Sequence, residues 1–220
     1  MRPLTEQIPK ALLEVAGKPF VVHQVELLRE HGITEIVMCI GFLGEMIEAE
    51  LGDGSALGVH IQYSPDGDKL LGTGGALKQA LPMLGALFYV TYGDAYLLTD
   101  YAAVAARFWE QERDGLMVVY RNENRWDTSN VVYANGRVIR YDKMEQAPNM
   151  HYIDWGVGML KASVFDAYPV DEKFDLATVY MDLVGRDQMA GYEAKQRFYE
   201  IGSKTGLVET DAYLRARVGK

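Results

Sequence analysis

Cysteine is almost missing from this chain. Cys39 is the only one among 220 residues, which excludes an intrachain disulfide framework and a multi-cysteine metal site. Long apolar runs are missing too: none approaches the roughly 18 residues that would span a bilayer. The first twenty residues lack the basic, apolar, small-residue order of a signal peptide. Together these point to a reducing cytoplasm. A basic surplus is also lacking, with 22 Lys and Arg against 31 Asp and Glu and a net charge of -9. That disfavours a nucleic-acid phosphate backbone or an anionic membrane as the main partner. An anionic small molecule stays compatible, held by a local basic cluster or a metal. There is no internal repeat, no low-complexity segment and no linker rich in Pro, Gly or Ser. With 49% hydrophobic and 24% charged residues, the chain reads as one globular domain.

What is present is an alternation of helices and strands. From Pro19 to His31, apolar Phe20, Val21, Val25, Leu27 and Leu28 are interleaved with polar residues, and Gly32 follows as a C-cap. Glu35 to Ile40 is a short β-branched apolar run, expected to be a strand covered on both faces. A helix is expected over 46–51, a loop over 52–58 and a half-buried strand over 59–63. The pattern continues with helix 75–84, strand 87–92, helix 99–113 and strand 116–120. This grammar predicts an α/β fold with a doubly wound, mostly parallel sheet, Rossmann-like in layout. After Arg121 it changes. Asn135-Gly136 stands between two alternating runs, a hairpin signal that needs positive φ at both turn positions. A strand at 152–160, a helix at 175–184 and a closing helix at 203–217 follow, so this small part is richer in antiparallel hairpins.

Several short motifs bear on chemistry. In YVTYGDAYLL (89–98) an apolar strand ends in Gly93-Asp94, placing a carboxylate at the C-terminal sheet edge where open α/β folds bind ligands. Asp94 there suits Mg²⁺ held with waters and a substrate phosphate, or simply a chain turn. LLGTGGALKQAL (70–81) sets Gly72, Gly74 and Gly75 before a helix, where backbone N–H groups approach an anion or a base, or where a plain loop runs. It matches neither G-x-G-x-x-G nor the P-loop. YDKMEQAPNMHYIDWG (141–156) brings Lys143, suited to phosphate, and Asp154, suited to sugar hydroxyls or a metal, around a short loop. A surface salt bridge is the alternative. Glu200 precedes a Gly-Ser turn, and the dipole of the following helix is reason enough for a carboxylate there. Trp155, beside Asp154, is a candidate for stacking on a sugar face or for ordinary packing.

The order Pro9-Lys10, Gly72-Thr73-Gly74-Gly75, Gly93-Asp94, Asp142-Lys143, Glu200-Ile201-Gly202 resembles the sugar-1-phosphate nucleotidyltransferase family. RPLTEQIPKALLEVAGKPF is its most specific stretch, and the resemblance runs from Arg2 to the final helix. It implies an enzyme that joins a nucleoside triphosphate to a sugar 1-phosphate, releasing pyrophosphate and forming an NDP-sugar, with Mg²⁺ as cofactor. It also implies roles: Lys10 contacts phosphate, Gly72, Thr73, Gly74 and Gly75 face the base and ribose, and Asp94 is the main Mg²⁺ ligand. Lys143 meets the sugar phosphate, with Asp142 where the family has Glu. Asp154 lies near the sugar, and Glu200 stands where many members have a second metal-binding Asp. Residues 1–121 become the nucleotide-binding half and 122–220 the sugar-phosphate half.

In the family a first strand and a Gly-rich loop carrying Thr-Arg precede RPLT. The chain is therefore expected to lack about 15–20 N-terminal residues, and Arg2 aligns with the RPLT arginine. A non-catalytic sugar-nucleotide-binding module of the same fold is the alternative. A nicotinamide-dependent dehydrogenase suits the α/β grammar but lacks its glycine fingerprint. The resemblance leaves the base and the sugar open among heptose, mannose, glucose and N-acetylated aminosugar phosphates.

Overall fold

The computed structural model describes residues 4–67 and 69–218; Arg2 lies outside them. In chain order, β1 (Glu14–Val15) and β2 (Lys18–Pro19) precede α1 (Phe20–Glu30), β3 (Glu35–Ile40), α2 (Gly44–Leu51) and β4 (His60–Pro65). Next come α3 (Gly72–Ala80), β5 (Leu87–Thr91), β6 (Ala95–Tyr96), α4 (Tyr101–Gln111) and β7 (Gly115–Arg121). The remainder is β8 (Val131–Ala134), β9 (Arg137–Tyr141), β10 (Tyr152–Lys161), α5 (Leu176–Gly185), β11 (Met189–Glu193), β12 (Tyr199–Glu200) and α6 (Lys204–Val218). These elements form two compact units, one built from 1–70, 92–98 and 198–220, the other from 71–91 and 99–197.

In the first unit α1 ends as the sequence predicts. Gly32 has φ +78, its N–H bonds to Arg29 O at 2.9 Å, and the next N–H, of Ile33, bonds to Leu28 O at 2.9 Å. A residue with a Cβ is strained at that φ, so glycine is what lets the helix stop there. Val21 and Val25 of α1 pack with Leu51, Val59 and Ile61, and with partly buried Ile36 and Met38 of β3. β3 pairs parallel with β4 from Glu35↔His60 to Ile40↔Pro65. The expectation that β3 is covered on both faces is not met: only Ile40 is buried and Cys39 is exposed. Side chains alternate along a strand, so Ile36 and Met38 meet the α1 core while Val37 and Cys39 point away from it. A second core gathers Val15, Phe20, Leu27, Tyr96, Ile201 and Leu214. Two antiparallel pairs, β1 with β2 and β6 with β12, border it.

The second unit holds a six-stranded sheet in the order β5-β10-β7-β11-β9-β8. The α/β class holds, but the mostly parallel, doubly wound sheet is corrected. Within this sheet only β7 and β11 pair in parallel. The reason is β10, a strand of ten residues with only Tyr152, Asp154 and Lys161 short of full burial. It runs antiparallel to β5 on one side and to β7 on the other. Helix-strand alternation along the chain leads one to expect β5 and β7 as parallel neighbours, yet a later strand separates them. The hairpin at Asn135-Gly136 is as expected, with φ +52 and +77 joining β8 to β9. The core beneath the sheet includes Phe88, Met117, Val119, Leu160, Phe165, Leu176, Tyr180 and Leu183.

Candidate active-site residues

Three separate segments of the first unit converge on one point. Pro9, with φ -56, precedes a single 3-10 turn over Lys10–Leu12 and sets the direction of Lys10. Asp94 sits in the turn after β5, where Ala95 N–H donates to Tyr92 O at 3.3 Å. Gln24 of α1 braces that turn, its Nε2 donating to Tyr92 O at 3.0 Å and to Ala95 O at 2.8 Å. Lys10 Nζ donates to Asp94 Oδ2 at 3.1 Å, with both side chains about 40% exposed (39% and 41%) and so open to a ligand. Glu200 arrives through the β12–β6 pairing, opposite Ala95, and Ile201 N–H bonds to Asp94 O at 2.9 Å. A methyl group built on Gly202 would stand 2.8 Å from Glu200 Oε2, 3.5 Å from Asp94 Oδ2 and 3.8 Å from Lys10 Nζ. One ammonium and two carboxylates thus border the same small space. Glu200 also does what the helix-dipole alternative expects: Oε2 accepts from the Gly202 and Ser203 amides, and Oε1 from Ser203 Oγ at 2.6 Å. Among the described residues no three His, Cys, Asp or Glu side chains form a group able to hold a metal unaided.

The second unit gathers a different set. Asp142 Oδ1 accepts from the Met144 and Glu145 amides at 2.8 and 2.9 Å, forming the turn that presents Lys143. Those two amides, with Arg140 nearby, hold the Asp142 carboxyl below its ordinary pKa. Lys143 Nζ reaches Asp175 Oδ1 at 3.3 Å. Asp175 caps α5 through the Ala177 amide at 2.7 Å. Thr73 Oγ1 donates to Asp175 Oδ1 at 3.3 Å and accepts from Leu176 N–H at 2.9 Å. Burial works against ionising Asp175, but the Ala177 amide, Lys143 and Thr73 outweigh it and lower its pKa. Asp154 behaves oppositely. Burial pushes it up to about 6, against the pull of the Gly156 amide, Lys143 and the Tyr141 hydroxyl. Asn130 ties these parts together: its Oδ1 accepts from Asp154 N–H at 3.0 Å and its backbone O from Asp142 N–H at 3.0 Å.

Two expectations need amending. The glycines of 72–75 serve close packing: the Gly74 and Gly75 amides both donate to Phe174 O, at 3.0 and 3.3 Å. A Cβ on Gly74 would strike the Phe174 ring, and one on Gly75 would stand 2.5 Å from Glu172 O. Gly72, at φ +71, opens α3. Trp155 is only 1% exposed and its Nε1 donates to Gln196 O at 2.9 Å. It is corrected from a sugar-stacking residue to a core residue, because a stacking ring has to show a face. Sequence reasoning missed Gln24, Asn130 and Asp175. Asp175 carried a signal only as an N-cap before an apolar helix.

A family model described as Nucleotidyl transferase matches residues 1–210. An N-acetylmuramate alpha-1-phosphate uridylyltransferase of Neisseria meningitidis serogroup B is 33% identical over 216 residues, covering 96% of this chain and 92% of that protein. A UTP–glucose-1-phosphate uridylyltransferase of Synechocystis sp. is 29% identical over 193 residues, covering 80% of this chain but 50% of its own length. Among solved structures, HddC from Yersinia pseudotuberculosis superposes with a TM-score of 0.79 at 22% identity, covering 94% of this chain and 90% of that one. At that identity the likeness concerns the fold. The family model and the Neisseria relative both run over nearly the whole sequence, and the chain belongs to the nucleotidyl transferase family.

Proposed function

We propose that the chain joins a nucleoside triphosphate, UTP by preference, to an aminosugar 1-phosphate in the cytoplasm, giving an NDP-sugar and pyrophosphate. The observation that carries this is the convergence of Lys10, Asp94 and Glu200 from three distant segments on the space beside Gly202. The similarity to two enzymes named as uridylyltransferases supports UTP.

In this reaction an oxygen of the sugar phosphate attacks the α-phosphorus of the triphosphate. A new P–O bond forms as the bond to the β-phosphate bridge breaks, and pyrophosphate leaves. Both reactants are anions, so the protein has to align them and offset their charge. Lys10 offsets charge on the triphosphate. Lys143 does so on the sugar phosphate, giving up part of its contact with Asp175. Asp154, ionised above about pH 6, accepts from a sugar hydroxyl. Gly72 and Thr73 form the nucleotide-facing part of the loop, and Gly74 and Gly75 its packing part. Asp94 with Glu200 fits Mg²⁺, which takes one or two carboxylates and completes its shell with waters and phosphates. When bound there, Mg²⁺ neutralises triphosphate charge and polarises the phosphoryl oxygens.

The test is pyrophosphate release from UTP with N-acetylmuramate 1-phosphate, glucose 1-phosphate and mannose 1-phosphate, each with and without Mg²⁺. Release that requires both substrates and Mg²⁺, and that falls at least about 10²-fold in Asp94→Asn, is expected. Tight Mg²⁺-independent binding of an NDP-sugar with no release from any pair would favour a binding module instead.

A further inference from the structure

Beside the sugar-phosphate residues lies a cavity of about 630 Å³ with a recognisable chemistry. Its walls come from two segments: Arg121 at the end of β7 with Glu123 and Asn124 in the loop after it, and Gln146, Ala147, Pro148, Met150 and His151 before β10. The first loop is held by side-chain hydrogen bonds. Asn122, fully buried, donates through Nδ2 to Asp127 O at 2.6 Å and to Ser129 Oγ at 3.0 Å, and its Oδ1 accepts from Trp126 N–H at 3.2 Å. The Asn122 and Glu123 amides both donate to His151 O, at 3.0 and 2.9 Å, which ties the two loops together. Gln146 Nε2 closes the rim by donating to Asn124 Oδ1 at 2.9 Å. Such a volume lies in the range of small-molecule sites.

What the walls offer is mostly hydrogen-bond donors. Asn124 Oδ1 also accepts from Ser129 N–H at 2.8 Å, so its acceptor is taken and its NH₂ remains. Arg121 engages Glu123 through Nε at 2.9 Å. Among the described residues, neither its Nη groups nor the Asn124 NH₂ meets a protein acceptor. The one lining carboxylate, Glu123, is shared by Arg121 and Arg125, at 2.9 and 3.4 Å. Two guanidiniums therefore face one carboxylate, in a protein whose net charge is -9. Ala147, Pro148 and Met150 supply an apolar patch in the same cavity. Donors with a positive surplus above small apolar groups suit a carboxylate on a short alkyl arm.

The position suits it too. Ser129, bonded to Asn124, is followed by Asn130, which holds Asp142 and Asp154. The loop that carries Lys143 continues directly into the lining residues Gln146, Ala147 and Pro148. We propose that this cavity is a subsite for a carboxylate borne on a short alkyl arm of the sugar, with Arg121 as the specificity-determining residue. The chain then selects acidic over neutral sugar 1-phosphates. This rests on the reading of Lys143 and Asp154 as the sugar-phosphate site.

N-acetylmuramate 1-phosphate and N-acetylglucosamine 1-phosphate differ by one carboxylate-bearing ether arm, which makes them the probe pair. Arg121 is exposed, so Arg121→Gln leaves the fold intact. It is expected to lower kcat/KM for the acidic substrate by at least about tenfold through KM, with kcat and the neutral substrate unchanged and partial rescue by Arg121→Lys. Equal losses on both substrates, or no loss on either, overturn the subsite. Calorimetric binding of free N-acetylmuramate and free N-acetylglucosamine separates this from the transfer reaction. If no pair yields pyrophosphate, Arg121-dependent preference for the free acid still upholds the subsite. Equal binding of acid and neutral sugar overturns it.

Discussion

Replacing Gly202 by alanine isolates the chemistry of the Lys10, Asp94 and Glu200 cluster from the fold that carries it. Its φ is not in the left-handed region, so the backbone accepts a side chain there. The new methyl would come within 2.8 Å of Glu200 Oε2, where ordinary contact begins near 3.4 Å, so that oxygen has to move by roughly 0.6 Å. It is the far end of a side chain and can yield, at the expense of its bonds to the Gly202 and Ser203 amides. The stability loss is about 1 kcal/mol. Catalysis is less forgiving, because misplacing a positioned charge by this order of distance costs up to about 10²-fold in rate. The assay is pyrophosphate release titrated with Mg²⁺, beside a urea denaturation curve. A near-native denaturation midpoint is expected with a rate down by about 10- to 100-fold and a raised Mg²⁺ requirement. Wild-type rate and Mg²⁺ dependence in a folded Gly202→Ala protein would refute the assignment of this space to the reacting phosphates. Gly206→Ala is harsher: its Cβ would strike Glu200 Oε1 and stand 2.7 Å from the Glu200 backbone O, so it displaces the same carboxylate and weakens the fold as well, because backbone does not step aside.

Gly75→Ala sets a Cβ 2.5 Å from Glu172 O and is expected to cost about 1–3 kcal/mol, read as a lower urea midpoint. Asp154, pushed by burial to about 6, holds its proton more tightly folded than unfolded, where carboxyls titrate near 3.9. Its contribution is therefore fully present below about pH 4 and lost as pH rises through 6. Asp154→Asn keeps that stability, gaining about 3 kcal/mol on the wild type at pH 7, and urea midpoints that run parallel from pH 4 to 8 would refute this. Lys143→Met is expected to raise KM for the sugar phosphate at least about tenfold, with Lys143→Arg recovering part; an unchanged KM removes Lys143 from the site.

Much of this molecule was legible where local chemistry decides. Gly32 ended α1, Asn135-Gly136 turned the hairpin, and apolar spacing located the six helices to within a few residues. Sheet order was not legible, because periodicity along β5, β7 and β10 says nothing about which strand lies beside which. β6 and β12 are two residues each, too short to show a pattern, yet their pairing is what brings Glu200 to Asp94. Lys10, Asp94 and Glu200 were singled out one by one, through the order of motifs, and their convergence was not legible. Gln24 was not, since a polar residue on an amphipathic helix looks like solvent-facing surface until the carbonyls of Tyr92 and Ala95 are seen in front of it.

The interleaving of the chain sets a timetable for synthesis. Lys10 and Asp94 both belong to the first half of the sequence. Glu200 and α6 follow only after the whole sheet from β5 to β11 has been made. With elongation at about 5–20 residues per second, the unfinished cluster waits several seconds for its second carboxylate. A nascent chain stalled before β12 would therefore carry all six strands of the sheet with no Glu200 beside Asp94.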